Sequence, residues 1–340
     1  MYSIVSPRSS AAARPLGRKR IENHSCSWGS WGLQARMGSD KGSLSPKPDH
    51  CCEYGDYFRH LGLTFCPDVD TVMYTLAGIQ NPDTGWGIDG YSLVAMERLS
   101  RYGGSTWFRL GDCDLGTHLA GTEMMEKGLT LTEVTTHLCR CLIIRERLLS
   151  MTDQSAPTLV DTEDGRLPFR EWFVHCQWQP VVQDVALPQP QPVASQEVLI
   201  ALETADLVVI APSNPMVSVA PVLNVDPVWE IPQSRRMPVV GVSPIIGEQT
   251  VKGPAAKMMA DLGLEVSPVG IAQFYSARLL SGFVLDQVDA SSVATIEAMG
   301  IVAFSTDTWM RTESDRIGLA QRVLEWVGSM SPGLAGRGVQ

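Results

Sequence analysis

The stretch Asp206–Pro215, DLVVIAPSNP, sets the reading of the fold. A short run of apolar, mostly β-branched residues stops at Ala-Pro-Ser-Asn-Pro, a turn built from residues that interrupt regular structure. The run contains no alternating polar residue, which suits a strand buried on both faces in a parallel sheet covered by helices. Upstream, SQEVLIALETA (195–205) has helical spacing. Downstream, MPVVGVSPIIG (237–247) repeats the scheme of a strand followed by a Pro/Gly loop, and GPAAKMMADLGLEV (253–266) reads as a helix with Gly263 as the breaker near its end. FVLDQVD (283–289) and GIVAFSTDT (300–308) read as two further strands. SDRIGLAQRVLEWVGSM (314–330) closes the chain as an amphipathic helix, with Ser314 or Asp315 as its cap. Helix alternating with buried strand predicts an α/β, Rossmann-like, doubly wound fold with a mainly parallel sheet.

The region from about 90 to 195 reads as a helix-rich insertion into that scheme. LVAMERLSRYGG (93–104) is a helix stopped by two glycines, and LTLTEVTTHLCRCLII (129–144) is another, capped by Thr130 or Thr132. Between them DCDLGTHLAGTEMMEKG (112–128) has helical spacing with Asp112 placed as N-cap, and DVALPQPQPVASQ (184–196) is a Pro-rich connector to the sheet.

The 340 residues carry a net charge of -10 and 44% hydrophobic residues, the balance of a globular enzyme and not of a broad nucleic-acid-binding surface. The 8 cysteines form no C-x-x-C pair, which argues against structural zinc, and a disulfide scaffold is not expected in a chain of this size. Without a run of about 18 apolar residues no transmembrane helix is expected, and the chain reads as cytoplasmic with no membrane partner. Residues 1–48, rich in Ser, Arg, Gly and Ala, read as a disordered or misassigned segment.

Ligands of parallel sheets bind beyond the carboxyl ends of the strands. The loops APSNP (211–215) and SPIIGE (243–248) occupy that place, so Ser213, Asn214, Pro215, Ser243 and the N–H groups near Gly247 are candidates to hold a phosphate or a guanine-like ring edge. Ordinary crossover turns have the same composition. Asp56, Asp68 and Asp70 lie within fifteen residues of one another, and Pro67 starts a helix at N1. Such carboxylates suit Mg²⁺, although acids at 68 and 70 also suit the first turn of a helix. In NPDTGWGIDG (81–90), Trp86 between two glycines offers a flat face for stacking, or plugs a tight turn.

Several blocks, in order, resemble one family: CPDVDTVMYTLAG (66–78), GWG (85–87), LGDCDLGTHL (110–119), MTD (151–153), APSNPMVSV (211–219) and GVSPIIGEQTVKGPAAKMM (241–259). Together they look like the 2-phospho-L-lactate transferase family of coenzyme F(420) biosynthesis, over about residue 53 to the C-terminus. The resemblance implies one transferase domain over 49–330, with a substrate-binding part at about 90–195, a nucleotide-binding α/β part at about 199–330, and a tail at 331–340. It implies a Mg²⁺-dependent transfer of a phospholactyl, phosphoenolpyruvyl or phosphoglyceryl group from a guanosine diphosphate donor to the deazaflavin FO, releasing GMP. In that reading Asp56, Asp112 and Asp114 are catalytic, and Trp86, Gly87 and His118 lie near the substrates with the loop residues named above. A homodimer is also implied.

The chain departs from the family pattern in four places. The family opens with a strand and a glycine-rich turn, and residues 1–48 offer none, so the first strand is expected to be missing. Tyr57 in EYGDY (53–57) and Tyr91 stand where the family has acids, and Cys113 stands at an arginine position. A cysteine supplies neither the fixed charge nor the forked donors of a guanidinium beside phosphates. The alternative function is therefore a catalytically impaired paralogue that binds nucleotide or deazaflavin without turnover.

Overall fold

The computed structural model describes residues 57–334, together with the strands Tyr2–Val5, Arg36–Met37, Leu44–Ser45 and Pro48–Cys52. Strands Val302–Thr306, Gly282–Asp286, Val239–Val242 and Val208–Ile210 lie side by side and parallel, in that order. Their registers pair Val208 with Val239, Val240 with Gly282, and Gly282 with Val302. Beyond Val208–Ile210 the sheet continues through Tyr2–Val5, Pro48–Cys52 and Arg147–Ser150.

Residues 1–48, from which the sequence offers no strand, thus place Tyr2–Val5 inside the sheet. It runs antiparallel to both neighbours, a direction that needs no crossover helix. Pro48–Cys52 and Arg147–Ser150 pair in parallel.

Why the apolar runs lack alternation is plain from the packing. Val208, Ile210, Val239, Phe283 and Leu285 face one core, with Met258, Met259, Ile271 and Ala272 of the helices Ala255–Asp261 and Pro268–Leu279. Leu207, Val209, Val240, Val242 and Val284 face the other, beneath Leu319, Val323, Leu324 and Val327 of the helix Glu313–Leu334. Successive side chains of a strand point to opposite faces, so both sets must be apolar when both faces are covered. The closing helix lies so near the sheet that a Cβ on Gly282 would stand 2.8 Å from the Trp326 ring. Its cap is Thr312 and not Ser314 or Asp315. The Thr312 hydroxyl accepts the Asp315 N–H at 3.2 Å, while the Asp315 carboxylate accepts the Thr312 N–H at 2.8 Å, a reciprocal capping box.

The stretch read as helix-rich carries helices Val94–Arg101, Asp112–Glu126 and Leu131–Cys141, the last capped by Thr130. From Leu159 it becomes an antiparallel sheet of Leu159–Thr162, Gly165–Pro168 and Val182–Ala186, followed after its hairpin by the wide helical turn Glu171–His175. A latch fixes this insertion to the main domain. Lys257 donates to the Pro180 carbonyl at 3.1 Å, forms an ion pair with Asp261, and sits 5.7 Å from the fully buried Trp172 ring. Asp261 accepts the Val182 N–H at 2.9 Å, and Trp172 donates to the same Pro180 carbonyl.

Candidate functional site

The latch holds the insertion so that Phe169, Arg170 and Phe173 form one wall of a cleft. Its floor lies where the Val208–Ile210 and Val239–Val242 strands end, at Pro212, Ser213, Asn214 and Pro244, and its rim is the loop from Thr250 to Ala255, including Lys252. The enclosed space is about 190 Å³. This is the position at which parallel sheets bind ligands.

Helix Pro67–Ala77 delivers one acid to the cleft. Pro67 occupies N1, where its missing N–H costs nothing, and Asp68 follows in the first turn. Asp68 forms an ion pair with Arg170, their side chains being 28% and 13% exposed. Phe169 and Phe173 stack at 5.5 Å and present an apolar flank beside that pair.

The two loops proposed as ligand holders divide. Ser213 and Asn214 line the cleft, but the Asn214 side-chain oxygen accepts the Met216 N–H at 3.0 Å and the Val217 N–H at 3.4 Å, capping the turn that follows. Pro215 is buried at the start of that turn. Ser243 is buried and closes its own turn, its hydroxyl donating to the Ile245 carbonyl and accepting the Ile245 N–H. The Gly247 N–H is taken by the Asp289 carboxylate at 3.0 Å. The structure therefore does not bring Ser243 and Gly247 to the cleft wall.

Asp70 points the other way from Asp68, into the interior. Its Oδ2 lies 3.9 Å from His118 Nδ1 and has no hydrogen-bond partner among the described residues. Burial, with Asp114 nearby, pushes the Asp70 carboxyl up to about 8, while burial pulls the His118 imidazole down to about 4. Near neutral pH both are uncharged, so the contact is between neutral groups and not an ion pair. The Tyr74 hydroxyl faces the same space, and its ionisation is driven upward by burial and by Asp70.

Asp114, 4% exposed, is the pin of the GWG loop. It accepts the Ile88 N–H at 3.1 Å, and a Cβ on Gly87 would stand 3.1 Å from its Oδ2. Burial raises its pKa. Trp86, on the same loop, is 43% exposed and is not among the cleft residues. The N-cap of the helix Asp112–Glu126 is Gly111 and not Asp112, whose carboxylate caps the neighbouring helix Val94–Arg101 instead. That carboxylate accepts the Val94 N–H at 3.1 Å, the Ala95 N–H at 3.0 Å, and the Ser92 hydroxyl, bonds that hold its pKa down. In this arrangement the Asp112 and Asp114 carboxylates are both engaged with backbone N–H groups of neighbouring segments. Cys113 is exposed, Tyr91 packs near Gly111, and Tyr57 packs against the Val69/Val72 core with its hydroxyl toward Ser155. Asp56 lies outside the described residues.

The expected metal set of Asp56, Asp68 and Asp70 is thus not one cluster in what can be described. Asp68 and Asp70 diverge because residues two apart on a helix lie on opposite sides. Among the described residues no three His, Cys, Asp or Glu side chains group to hold a metal. Among the described residues the cleft offers one carboxylate, Asp68. That donor set fits a Mg²⁺ ion held chiefly by a ligand's phosphates and touching the chain through Asp68, since Mg²⁺ commonly takes one or two carboxylates and fills its shell with phosphate oxygens and water.

Arg170, Lys252, Phe169 and Phe173 went unselected by sequence reasoning. Arg170 meets Asp68 across a long stretch of chain, and no spacing rule reaches that far. Lys252 lies inside a block quoted for the resemblance, and as a lysine on a loop following the second strand end it carried a usable signal.

Residues 49–319 match the family model described as 2-phospho-L-lactate transferase CofD. A phosphoenolpyruvate transferase of Streptomyces griseus is 37% identical over 80% of this chain and 87% of its own. A 2-phospho-L-lactate transferase of Methanopyrus kandleri is 39% identical over 78% of this chain and 86% of its own. A solved Bacillus halodurans protein overlays with a TM-score of 0.49 at 15% identity, covering 76% and 82% of the two chains. No helix among the described residues is long and apolar enough to cross a membrane.

Proposed function

The chain belongs to the 2-phospho-L-lactate transferase CofD family, and from that premise we propose that it catalyses a phosphotransfer of coenzyme F(420) biosynthesis in the cleft between Asp68, Arg170 and Ser213. The donor is a guanosine diphosphate whose terminal phosphate carries a lactyl, enolpyruvyl or glyceryl acid, and the acceptor is the ribityl hydroxyl of FO. The hydroxyl oxygen forms a new bond to the terminal phosphorus. The bond from that phosphorus to the bridging oxygen breaks, GMP leaves with the bridging oxygen, and the hydroxyl proton passes to solvent or a carboxylate. The substrates are small molecules in the cytoplasm, and a homodimer is the assembly implied by the resemblance.

The observation that carries this reading is the meeting of cationic and aromatic groups beyond two parallel strand ends. Arg170 and Lys252 supply positive charge toward a diphosphate, and Ser213 supplies a hydroxyl. Phe169 and Phe173 offer ring faces to a guanine or deazaflavin. Phosphoryl transfer needs chiefly alignment and charge stabilisation, which is what such a wall provides. Mg²⁺, when bound with the donor, would spread the charge that builds on the phosphate oxygens, with Asp68 as its contact on the chain.

The test is to incubate the full chain with FO, Mg²⁺ and the lactyl or enolpyruvyl guanosine diphosphate, and follow products by mass spectrometry. Formation of the phospho-linked deazaflavin with equimolar GMP is expected, and its suppression by EDTA checks the metal. Tight binding of FO or GDP with no product would overturn the enzymatic reading in favour of a binding protein, the outcome to which Tyr57, Tyr91 and Cys113 point.

A further inference from the structure

We propose that Asp289, which is not among the residues lining the cleft, positions the cleft's rim: by holding the tip of the hairpin 245–250 it sets the place of the loop 250–255, and so how tightly the donor binds. The functional half of this inference rests on the reading of the cleft as the donor site. The hairpin is too small to hold itself. Its strands, Ile245–Ile246 and Gln249–Thr250, pair over two residues each, and an isolated two-stranded ribbon is marginal in water even when longer. Its turn is Gly247-Glu248, with φ +55° and +66°. A two-residue turn of this kind asks for left-handed backbone at both positions, which suits Gly247 but crowds the Cβ of Glu248 against its own backbone. The restraint comes from outside the hairpin. Ile245 is fully buried and anchors the incoming strand. At the tip, the Asp289 carboxylate accepts the Gly247 N–H, its two oxygens lying 3.0 and 3.3 Å away.

Asp289 is itself well held. It lies in the helical turn Gln287–Ser292, which follows the strand Gly282–Asp286. The buried Asp286 carboxylate caps that turn by accepting the Val288 N–H at 3.0 Å, and it also accepts the Thr308 N–H at 2.8 Å and the Thr308 hydroxyl at 3.0 Å. The hairpin tip is thus tied to the parallel sheet through two carboxylates in series. Beyond the tip the chain runs from Gln249–Thr250 directly into the rim, where the Thr250 hydroxyl donates to the Gly253 carbonyl at 3.1 Å. The far end of the rim joins the latched helix Ala255–Asp261. A shift at Gly247 is therefore taken up in residues 250–253, because the helix after them is fixed. Displacing groups that align a ligand costs binding and rate even when the shift is small.

Hydrogen–deuterium exchange of the full chain reads the clamp without any ligand. Asp289→Ala is expected to speed exchange across residues 246–253 by about tenfold or more, while Ala255–Asp261 and the sheet strands keep their protection. Steady-state kinetics reads the consequence: the donor KM is expected to rise about three- to tenfold, with kcat and the KM for FO little changed. A general loss of structure would instead lower kcat through a smaller active fraction and raise exchange throughout. Titration with GDP, weakened by the same factor as the donor KM, gives the same reading without turnover. Asp289→Asn keeps an acceptor oxygen and is expected to recover part of both effects. Glu248→Gly relieves the left-handed turn and is expected to restore part of the protection in the Asp289→Ala background. Unchanged exchange at 246–253 in Asp289→Ala, or exchange raised throughout the chain, would overturn the clamp. Faster exchange there with GDP affinity and donor KM both unmoved would overturn the link from hairpin to donor. A chain that forms no product yet shows the exchange and GDP pattern refutes the transfer reaction and leaves the clamp standing; product formed without the pattern does the reverse.

Discussion

Asp70 shows most sharply how neighbouring residues of one type acquire different chemistry. Two positions from the cleft-facing Asp68, it is buried opposite His118 at 3.9 Å, and both groups are driven to their neutral forms. A carboxyl whose folded pKa lies near 8 binds a proton that the unfolded chain releases near 4, so its contribution to stability is full below about pH 4 and falls as pH rises toward 8. An imidazole lowered to about 4 works in the opposite sense, adding stability as pH rises from 4 to 6.5. The two slopes oppose each other up to about pH 6.5, and Asp70 acts alone above it. Urea denaturation is therefore expected to show stability declining between pH 6.5 and 8, by roughly 1 kcal/mol per pH unit from this group. In Asp70→Asn that decline should vanish; its persistence would show that Asp70 ionises freely in the folded protein. At the same scale, Gly87 has φ +73° and its absent Cβ would crowd Asp114. Gly87→Ala is expected to cost about 1–3 kcal/mol in the same measurement, from left-handed strain and a displaced pin. The acids at 68 and 70 were legible as acids at a helix start. Their opposite directions follow only once the helix is placed against its neighbours.

Among the elements, the parallel strands and their helices were legible because burial on both faces leaves an unmistakable apolar run, as in Leu207–Ile210. The three-stranded insertion was not, because its strands are short and carry exposed charges such as Arg166 and Asp184. The Asp164-Gly165 pair is a hairpin signal, and Gly165 does adopt a positive φ at that turn. Thr130 caps the helix that follows it, as its sequence position suggests, whereas the closing helix starts one turn earlier than its apolar spacing suggests, at Thr312, and one expected cap serves another helix. Asp112 is that case. Asp112→Ala is expected to speed hydrogen exchange at the Val94 and Ala95 amides while leaving the amides of the Asp112–Glu126 helix protected. Faster exchange confined to the latter helix would return Asp112 to the role of its own cap.

For the whole molecule, the question is how an antiparallel insertion keeps a cleft wall in register with a parallel sheet. The latch of Lys257, Asp261, Pro180 and Val182 does so, tying the Ala255–Asp261 helix to the strand Val182–Ala186 and to the turn that carries Arg170 and Phe173. Asp261→Ala leaves the Val182 N–H and Lys257 without this partner, and a loss of about 1–3 kcal/mol is expected in thermal or urea unfolding. The cleft should loosen with it, raising the KM for the guanosine diphosphate donor. The strand-end loop 212–214 was legible as one side of the candidate cleft, yet the residues that give the cleft positive charge come from the insertion and from the loop 250–255, joined to it only by folding.

In the proposed reaction the donor's phosphates lie against Arg170. Steady-state kinetics of Arg170→Gln, varying donor and FO separately, tests that placement. Losing a charge-assisted hydrogen bond to phosphate predicts a donor KM about tenfold or more higher with the KM for FO little changed. A donor KM that stays put while the KM for FO rises would place the deazaflavin, and not the diphosphate, against this wall.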